Sequence, residues 1–424
     1  MLPTAAIALY ADYAVTLDVA ERTEVRARTT QVVQSTPGTS AAPATLAFDL
    51  FAQPRAALNV RDRVWHFTLS YSPAFTAPDL LGESPSLQLF HMASAGVSWH
   101  ERRVRLSLFE DASYGALNSA YLPTTPTSQA PQPVASTPLL TAPQTLQLGS
   151  SNTTFVATTN LTRRAIASAD AGYSLAGGVD ASSRAALPLL FGPRAGASLS
   201  YAVSRTDRWI TAATGQHLDS TIALCPPPVT GVVQPQMPVT PAALDCQPES
   251  DIVQGSESWS HRFSRSTTMV VGAGVSAAES RLTHHDPYQK SVFPTGTFSF
   301  ARRFGNYGLD SVSLDVGLYP VVDPRFGTVS EWVQGQLSSV WRLNNRVTLR
   351  FGGGGVQTLP ASDPLATTMI HGELEASYRV DRHVLLSLGE SGAWQDQLPY
   401  SAFFSTFGYF AVTVQDRALK SGLP

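Results

Sequence analysis

Long apolar runs are missing from this 424-residue chain. No stretch approaches the roughly 18 residues that a membrane-crossing helix needs. Charge is scarce as well. Asp, Glu, Lys and Arg make up 14% of the residues, against roughly 25% in soluble domains, which points away from a surface bathed wholly in water. The net charge of −3 argues against nucleic acid as a partner. Only two cysteines occur, Cys225 and Cys246, and both sit in one Pro-rich segment, CPPPVTGVVQPQMPVTPAALDC. Two cysteines flanking one flexible loop read as a disulfide formed in an oxidising compartment. No break in composition divides the chain, so one large sheet is expected even though the length would normally suggest several domains. A soluble propeller would repeat about every 40 to 50 residues, and no such repeat is present.

What the chain has instead is alternation. Val312-Ser313-Leu314-Asp315-Val316-Gly317-Leu318-Tyr319 switches between apolar and polar at every second residue, and so does the run from Ile370 to Val380. Successive side chains of a strand point to opposite faces. Each run therefore presents one apolar face and one face carrying Glu, Arg and Asp. The pattern recurs along the chain in segments of roughly 10 to 16 residues, where soluble strands run about 5 to 6 and a tilted membrane-spanning strand needs about 9 to 11. A barrel satisfies its backbone groups between strands and needs no apolar helix. An all-β, antiparallel transmembrane barrel is the expected fold.

Turns and loops support that reading. Tight polar turns contain Arg61-Asp62, Glu101-Arg102, Thr162-Arg163, Thr206-Asp207, Ser264-Arg265, Asn344-Asn345 and Asp381-Arg382, with Asn306-Tyr307-Gly308 slightly longer. Long Pro-, Ser- and Thr-rich connections alternate with them, at 29–43, 117–149, 178–193 and 223–254. Short periplasmic turns and long outer loops are the signature of an outer-membrane barrel. Eight hairpins between 44 and 393, one strand before them from Tyr13 to Arg28 and one after from Ala402 to Val414, make 18 strands. Alternation is weakest at 152–161, 210–222 and 257–263; without one hairpin the count is 16. The barrel is expected over 12–414, with 415–424 as a tail. Met1 to Ala11 resembles the end of a signal peptide, though without a basic start.

The alternation also assigns faces. Leu46, Phe48, Leu50, Ala52, Pro54, Ala56, Leu58 and Val60 form a lipid face, with Trp65, Phe67, Leu69 and Tyr71 on the next strand. Trp99, Trp332, Trp341, Tyr319, Tyr378 and Tyr409 stand near the ends of their runs, where aromatic girdles are expected. Asp49, Arg55, Arg105, Asp315, Arg350, His371, Glu373, Glu375 and Arg379 face the interior. In a water-filled lumen such charges cost little and select solutes. In a plugged one they would form a stiffening salt-bridge network.

With these features the chain resembles bacterial outer-membrane β-barrel proteins of the porin-like kind, over about Asp12 to Val414. The resemblance rests on architecture and implies an outer-membrane location, contact with outer-membrane lipid and delivery by the outer-membrane assembly machinery. In that family the last strand usually ends the protein on an aromatic residue. Here Phe404-Ser405-Thr406-Phe407-Gly408-Tyr409-Phe410 is followed by AVTVQDRALKSGLP, a departure from the pattern.

Catalytic signals are weak beside this. His284-His285-Asp286 lies in a loop, and two adjacent histidines on extended chain point apart rather than converging on a metal or substrate. Ser98 and His100 could supply a hydrolytic pair, but serine is abundant and no GxSxG sequence occurs. Gly352-Gly353-Gly354-Gly355 lacks the Lys-Ser/Thr of a phosphate loop and reads as a strand segment that admits a close neighbour. The expected function is a channel for passive diffusion of small polar solutes, with no cofactor, no metal and no catalysis; an oligomer is compatible with it. The alternatives are a plugged barrel whose outer loops bind a partner, and an outer-membrane lipid or peptide hydrolase.

Overall fold

A computed structural model describes residues 14–33, 45–80, 87–118, 145–221, 247–283, 286–305, 309–323, 328–359, 367–397 and 402–421. Cys225, Cys246, His284, His285 and the turn residues Asn306 to Gly308 lie outside them, as do 1–13. The strands in chain order are β1 (Ala14–Val33), β2 (Thr45–Arg61), β3 (Trp65–Tyr71), β4 (Ala74–Ala77), β5 (Gln88–Glu101), β6 (Val104–Asn118), β7 (Thr145–Asn160), β8 (Ala165–Gly178) and β9 (Leu189–Ala202). They continue with β10 (Asp207–Thr221), β11 (Glu249–Arg262), β12 (Thr267–Arg281), β13 (Gln289–Phe304), β14 (Asp310–Asp323), β15 (Thr328–Arg342), β16 (Val347–Leu359), β17 (Thr367–Arg379), β18 (Val384–Gln397) and β19 (Ala402–Ser421).

Each strand pairs antiparallel with its neighbours, and β1 pairs with both β2 and β19, which closes the sheet. Both β3 and β4 lie between β2 and β5. They are two pieces of one wall strand interrupted at Ser72-Pro73, where proline removes a ladder donor. The wall therefore has 18 strands, as the turn count implies. The weakly alternating segments 152–161, 210–222 and 257–263 fall largely in β7, β10 and β11. With its edges paired off, the barrel leaves no open strand edge among the described residues, and the protein is an outer-membrane protein.

The strands outrun the sequence expectation at several ends. β1 continues past Arg28 to Val33, and β19 continues past Val414 to Ser421, where it pairs with the first residues of β1. The stretch 178–193 is less irregular than expected. It contains a short helix, α1 (Ala181–Ala186), and β9 has begun by Leu189. Asp180 caps α1, accepting from the Ser183 N–H at 2.6 Å. That bond holds the Asp180 carboxyl below the usual carboxylate range, so its contribution to the cap is present at neutral pH and is lost as pH falls through the depressed value.

The faces follow the alternation. Val25, Leu50, Leu69, Phe351, Leu388 and Phe410 project outward and are exposed, as lipid-facing side chains of a closed barrel are. Trp99, Trp341 and Tyr378 are on this face as expected. Tyr319, Trp332 and Tyr409 are not. The parity that places Asp315 inside also places Tyr319 inside, and the ladder carries this to Trp332 opposite it. Tyr409 pairs with Gly389, which pairs with inward Glu375. These three aromatics line the interior rather than a girdle. Tyr319 and Trp332 pack with Val321 and Val356. Nearby, Val322 and Val329 of the β14–β15 hairpin pack on Leu218, Ile252, Ala278 and Phe293.

The outer face is not wholly apolar either. Glu110 points outward but accepts from Ser151 at 2.7 Å and also from Thr153. Glu257 accepts from Trp209 and Thr211. Hydrogen bonds lower the cost of holding these carboxylates near lipid. Glu390 stands opposite Leu374 and is exposed. The purified protein should require detergent for extraction and migrate faster on a gel before boiling than after. Full solubility in plain buffer, or migration unchanged by boiling, would contradict the closed barrel.

Candidate functional site

The inward face of β1 carries Asp18, Arg22, Glu24, Arg26 and Arg28, opposite outward Val19, Thr23, Val25 and Ala27. Strand geometry spaces the members of such a row by about 6.6 Å. Glu24 is the hub. It accepts from Arg26 Nε at 2.6 Å and pairs with Arg22 on its other side. Its side chain is 5% exposed, so this carboxylate depends on its partners for the solvation it has lost. Arg28 Nε donates to Asp49 Oδ2 at 3.2 Å across the β1–β2 ladder. Asp49, fully buried, also accepts from the Asp79 backbone N–H at 2.7 Å. That contact holds Asp79 at φ 51°, a conformation non-glycine residues adopt rarely.

Barrel closure brings in a second group. Glu375 on β17 accepts from Arg350 at 3.0 Å, from Arg22 at 3.4 Å, from the Tyr409 hydroxyl at 2.8 Å and from Ser377 at 2.9 Å. Aromatic rings flank the arginines. The Arg22 guanidinium lies 5.4 Å over Tyr409, and that of Arg26 lies 4.0 Å over Phe51 and 5.7 Å over Phe407. Such contacts favour a cation at the ring face.

Of the nine inward residues read from sequence, Asp49, Arg350 and Glu375 enter this network. Glu373 and His371 follow on β17, each opposite a glycine of β16. A Cβ on Gly352 would meet Glu373 Oε1 at 2.6 Å, and one on Gly354 would meet His371 Cε1 at 3.0 Å. These two glycines make room for the neighbouring side chains. Neither ring nitrogen of His371 has a hydrogen-bond partner among the described residues. Arg55 lies with Asp18 and Asn59 along a cavity near the turn end of the barrel. Arg105, Arg379 and Asp315 are inward by register, opposite His100, Leu385 and Gln336, and apart from the network.

Sequence reasoning missed Arg22, Glu24, Arg26 and Arg28, although they recur at every second residue. It also missed the opposite wall. There Arg194 donates to Thr154 at 2.6 Å and to Asn152 at 3.3 Å, beside a cavity lined by Asp170, Thr214, Gln216 and Gln254. Of the suggested catalytic groups, Asp286 accepts from Thr283 within its own turn, and Ser98 and His100 are two positions apart on one face of β5. His217, Glu249 and Asp251 form a three-ligand cluster on the outer face, with donor atoms within 4.8 Å. It is closed on itself: His217 Nδ1 is bonded to Asp251 at 2.9 Å, and Glu249 is bonded to Arg281 and, at 2.9 Å, to Tyr288.

The lumen wall thus offers paired donors and acceptors beside aromatic faces. Residues 9–224 match the family model described as the EpsX exopolysaccharide export family. No curated protein matches the chain. Among solved structures, the apoprotein form of the FrpB iron transporter from Neisseria meningitidis (F5-1 variant) is similar at 10% identity and a TM-score of 0.50, covering 92% of this chain and 63% of that one. OccK2 (OpdF) from Pseudomonas aeruginosa is similar at 10% identity and a TM-score of 0.47, over 96% of this chain and 98% of that one. The outer membrane protein opdK from the same organism reaches 0.45 at 10% identity, over 94% and 99%. The chain spans 62% and 64% of two further FrpB structures it matches. At 10% identity the likeness to the FrpB apoprotein bears on the barrel fold alone.

Proposed function

The chain belongs to the EpsX exopolysaccharide export family, and from that premise we propose that its barrel is an outer-membrane conduit for a secreted polysaccharide. The observation that carries the reading is the inward row on β1 with its aromatic flanks, set in a barrel of 18 strands, wide enough for a channel. A sugar chain is rich in hydroxyls and has apolar C–H faces. Ion pairs with spare donors and lone pairs serve the hydroxyls, and aromatic rings serve the C–H faces. The protein acts as a passage and performs no chemistry. The inward residues Asp49, Arg55, Arg105, Asp315, Arg350, His371, Glu373, Glu375 and Arg379 tune what passes through it.

A second reading, passive diffusion of small polar solutes, draws on the same polar wall. A third, a closed barrel acting through its outer surface, is favoured by the packing of Val322 and Val329 against β10–β13, which narrows one end. Proteoliposomes loaded with a labelled monosaccharide and a labelled dodecasaccharide separate the three. Release of both supports the conduit. Release of the monosaccharide alone overturns it in favour of a diffusion pore. Retention of both, with no ion conductance in planar bilayers, favours the closed barrel.

A further inference from the structure

The arginines of the β1 row are compensated. Glu24 serves Arg22 and Arg26, Glu375 serves Arg22 and Arg350, and Asp49 serves Arg28. A carboxylated polymer that reaches a guanidinium meets an internal carboxylate of its own sign beside it. An uncharged hydroxyl meets no such repulsion. The Arg22 side chain is 31% exposed and its guanidinium carries five N–H donors, so a hydroxyl can accept from it while its ion pairs stay intact. Both signs stand within one row, a pattern that matches dipoles better than net charge. Phe51, Phe407 and Tyr409 hold the guanidinium heads against the wall and add flat apolar surface beside the polar edge.

We propose that Arg22, Glu24 and Arg26, flanked by Phe51, Phe407 and Tyr409, form a binding subsite for an uncharged, hydroxyl-rich glycan chain. This rests on the conduit reading and narrows its cargo to neutral over acidic polysaccharide. Selectivity follows from the wall. Binding a neutral chain leaves every ion pair in place, whereas an anionic chain is set against the like charges of Glu24 and Glu375. Removing the charge of Glu24 should shift the preference towards acidic chains, since Arg22 and Arg26 would each lose one carboxylate partner.

The test uses the whole barrel in detergent. Neutral malto- and cello-oligosaccharides and an oligogalacturonate of equal length are titrated by calorimetry, and the proteoliposome release assay is run in parallel. The wild type should bind a neutral oligosaccharide at least about tenfold more tightly than oligogalacturonate, the size of one hydrogen bond to a charged group. Phe51→Leu should weaken neutral binding by a similar factor, and Glu24→Gln should raise oligogalacturonate binding relative to neutral. Gel mobility before boiling confirms that each variant has closed. Oligogalacturonate binding as tightly as the neutral chains overturns the proposal, as does neutral binding unchanged in Phe51→Leu. If the dodecasaccharide is still released in either case, the conduit stands and only the subsite falls. If no oligosaccharide is bound or released, both fall.

Discussion

Replacing Asp49 by alanine is expected to cost about 3 to 5 kcal/mol of stability, the range for breaking a buried ion pair by removing one partner. The Asp49 side chain is fully buried and that of Arg28 is 9% exposed, so little water can take over for the lost carboxylate. The same change strips the Asp79 N–H of its acceptor, releasing a residue held at positive φ. Asp49→Asn is the informative control. It keeps a carbonyl oxygen for Asp79 while removing the charge, and should recover part of the loss. Unfolding of the three proteins in detergent, followed by gel mobility against temperature, checks this. Alanine behaving like the wild type would show that the Arg28–Asp49 contact contributes nothing, and asparagine no better than alanine would show that Asp79 contributes nothing.

The second large effect comes from placing one charge on opposite faces. Val25 projects into lipid between Leu50 and Phe410 and is 49% exposed. Val25→Arg has only apolar cross-strand neighbours and should cost roughly 2 to 4 kcal/mol near the membrane midplane, enough to reduce the amount of assembled barrel. Leu374, also outward and 54% exposed, is a poorer probe, because Glu390 stands opposite it and would partly neutralise an arginine. Glu373→Arg puts the same charge inside, beside Glu375 on the same face. It should assemble normally and shift bilayer conductance towards anions. Equal assembly of the two variants would refute the face assignment. An unchanged selectivity in Glu373→Arg would place that side chain away from the path of ions.

Much of the barrel is legible in its amino-acid order. The runs around Asp315 and Glu373, and the polar turns at Arg61-Asp62 or Asp381-Arg382, lead to the strand count, and their parity assigns each strand an inward row. The reason is local: a strand's side-chain period is two, whatever the strand packs against. Place along a strand is a weaker guide than parity. Tyr319 shares the parity of Asp315, yet it reads as a girdle residue when only its position near a strand end is considered. Arg22, Glu24, Arg26 and Arg28 show the same period but occur in a segment with outward Glu21, which blurs the contrast between its faces.

The alternation by itself determined that the protein is a closed, membrane-spanning barrel with a charged interior. Which of those charges meet was decided only by the tertiary structure. Arg22 reaches Glu375 across a sequence separation of 353 residues, a contact that exists because β1 pairs with β19 and the ladder then runs through β18 to β17. The same closure carries Phe407 and Tyr409 to the arginine row. Period specifies the direction of a side chain relative to its own backbone. Its partners depend on the register at which the barrel closes, and that register is set by the whole circumference.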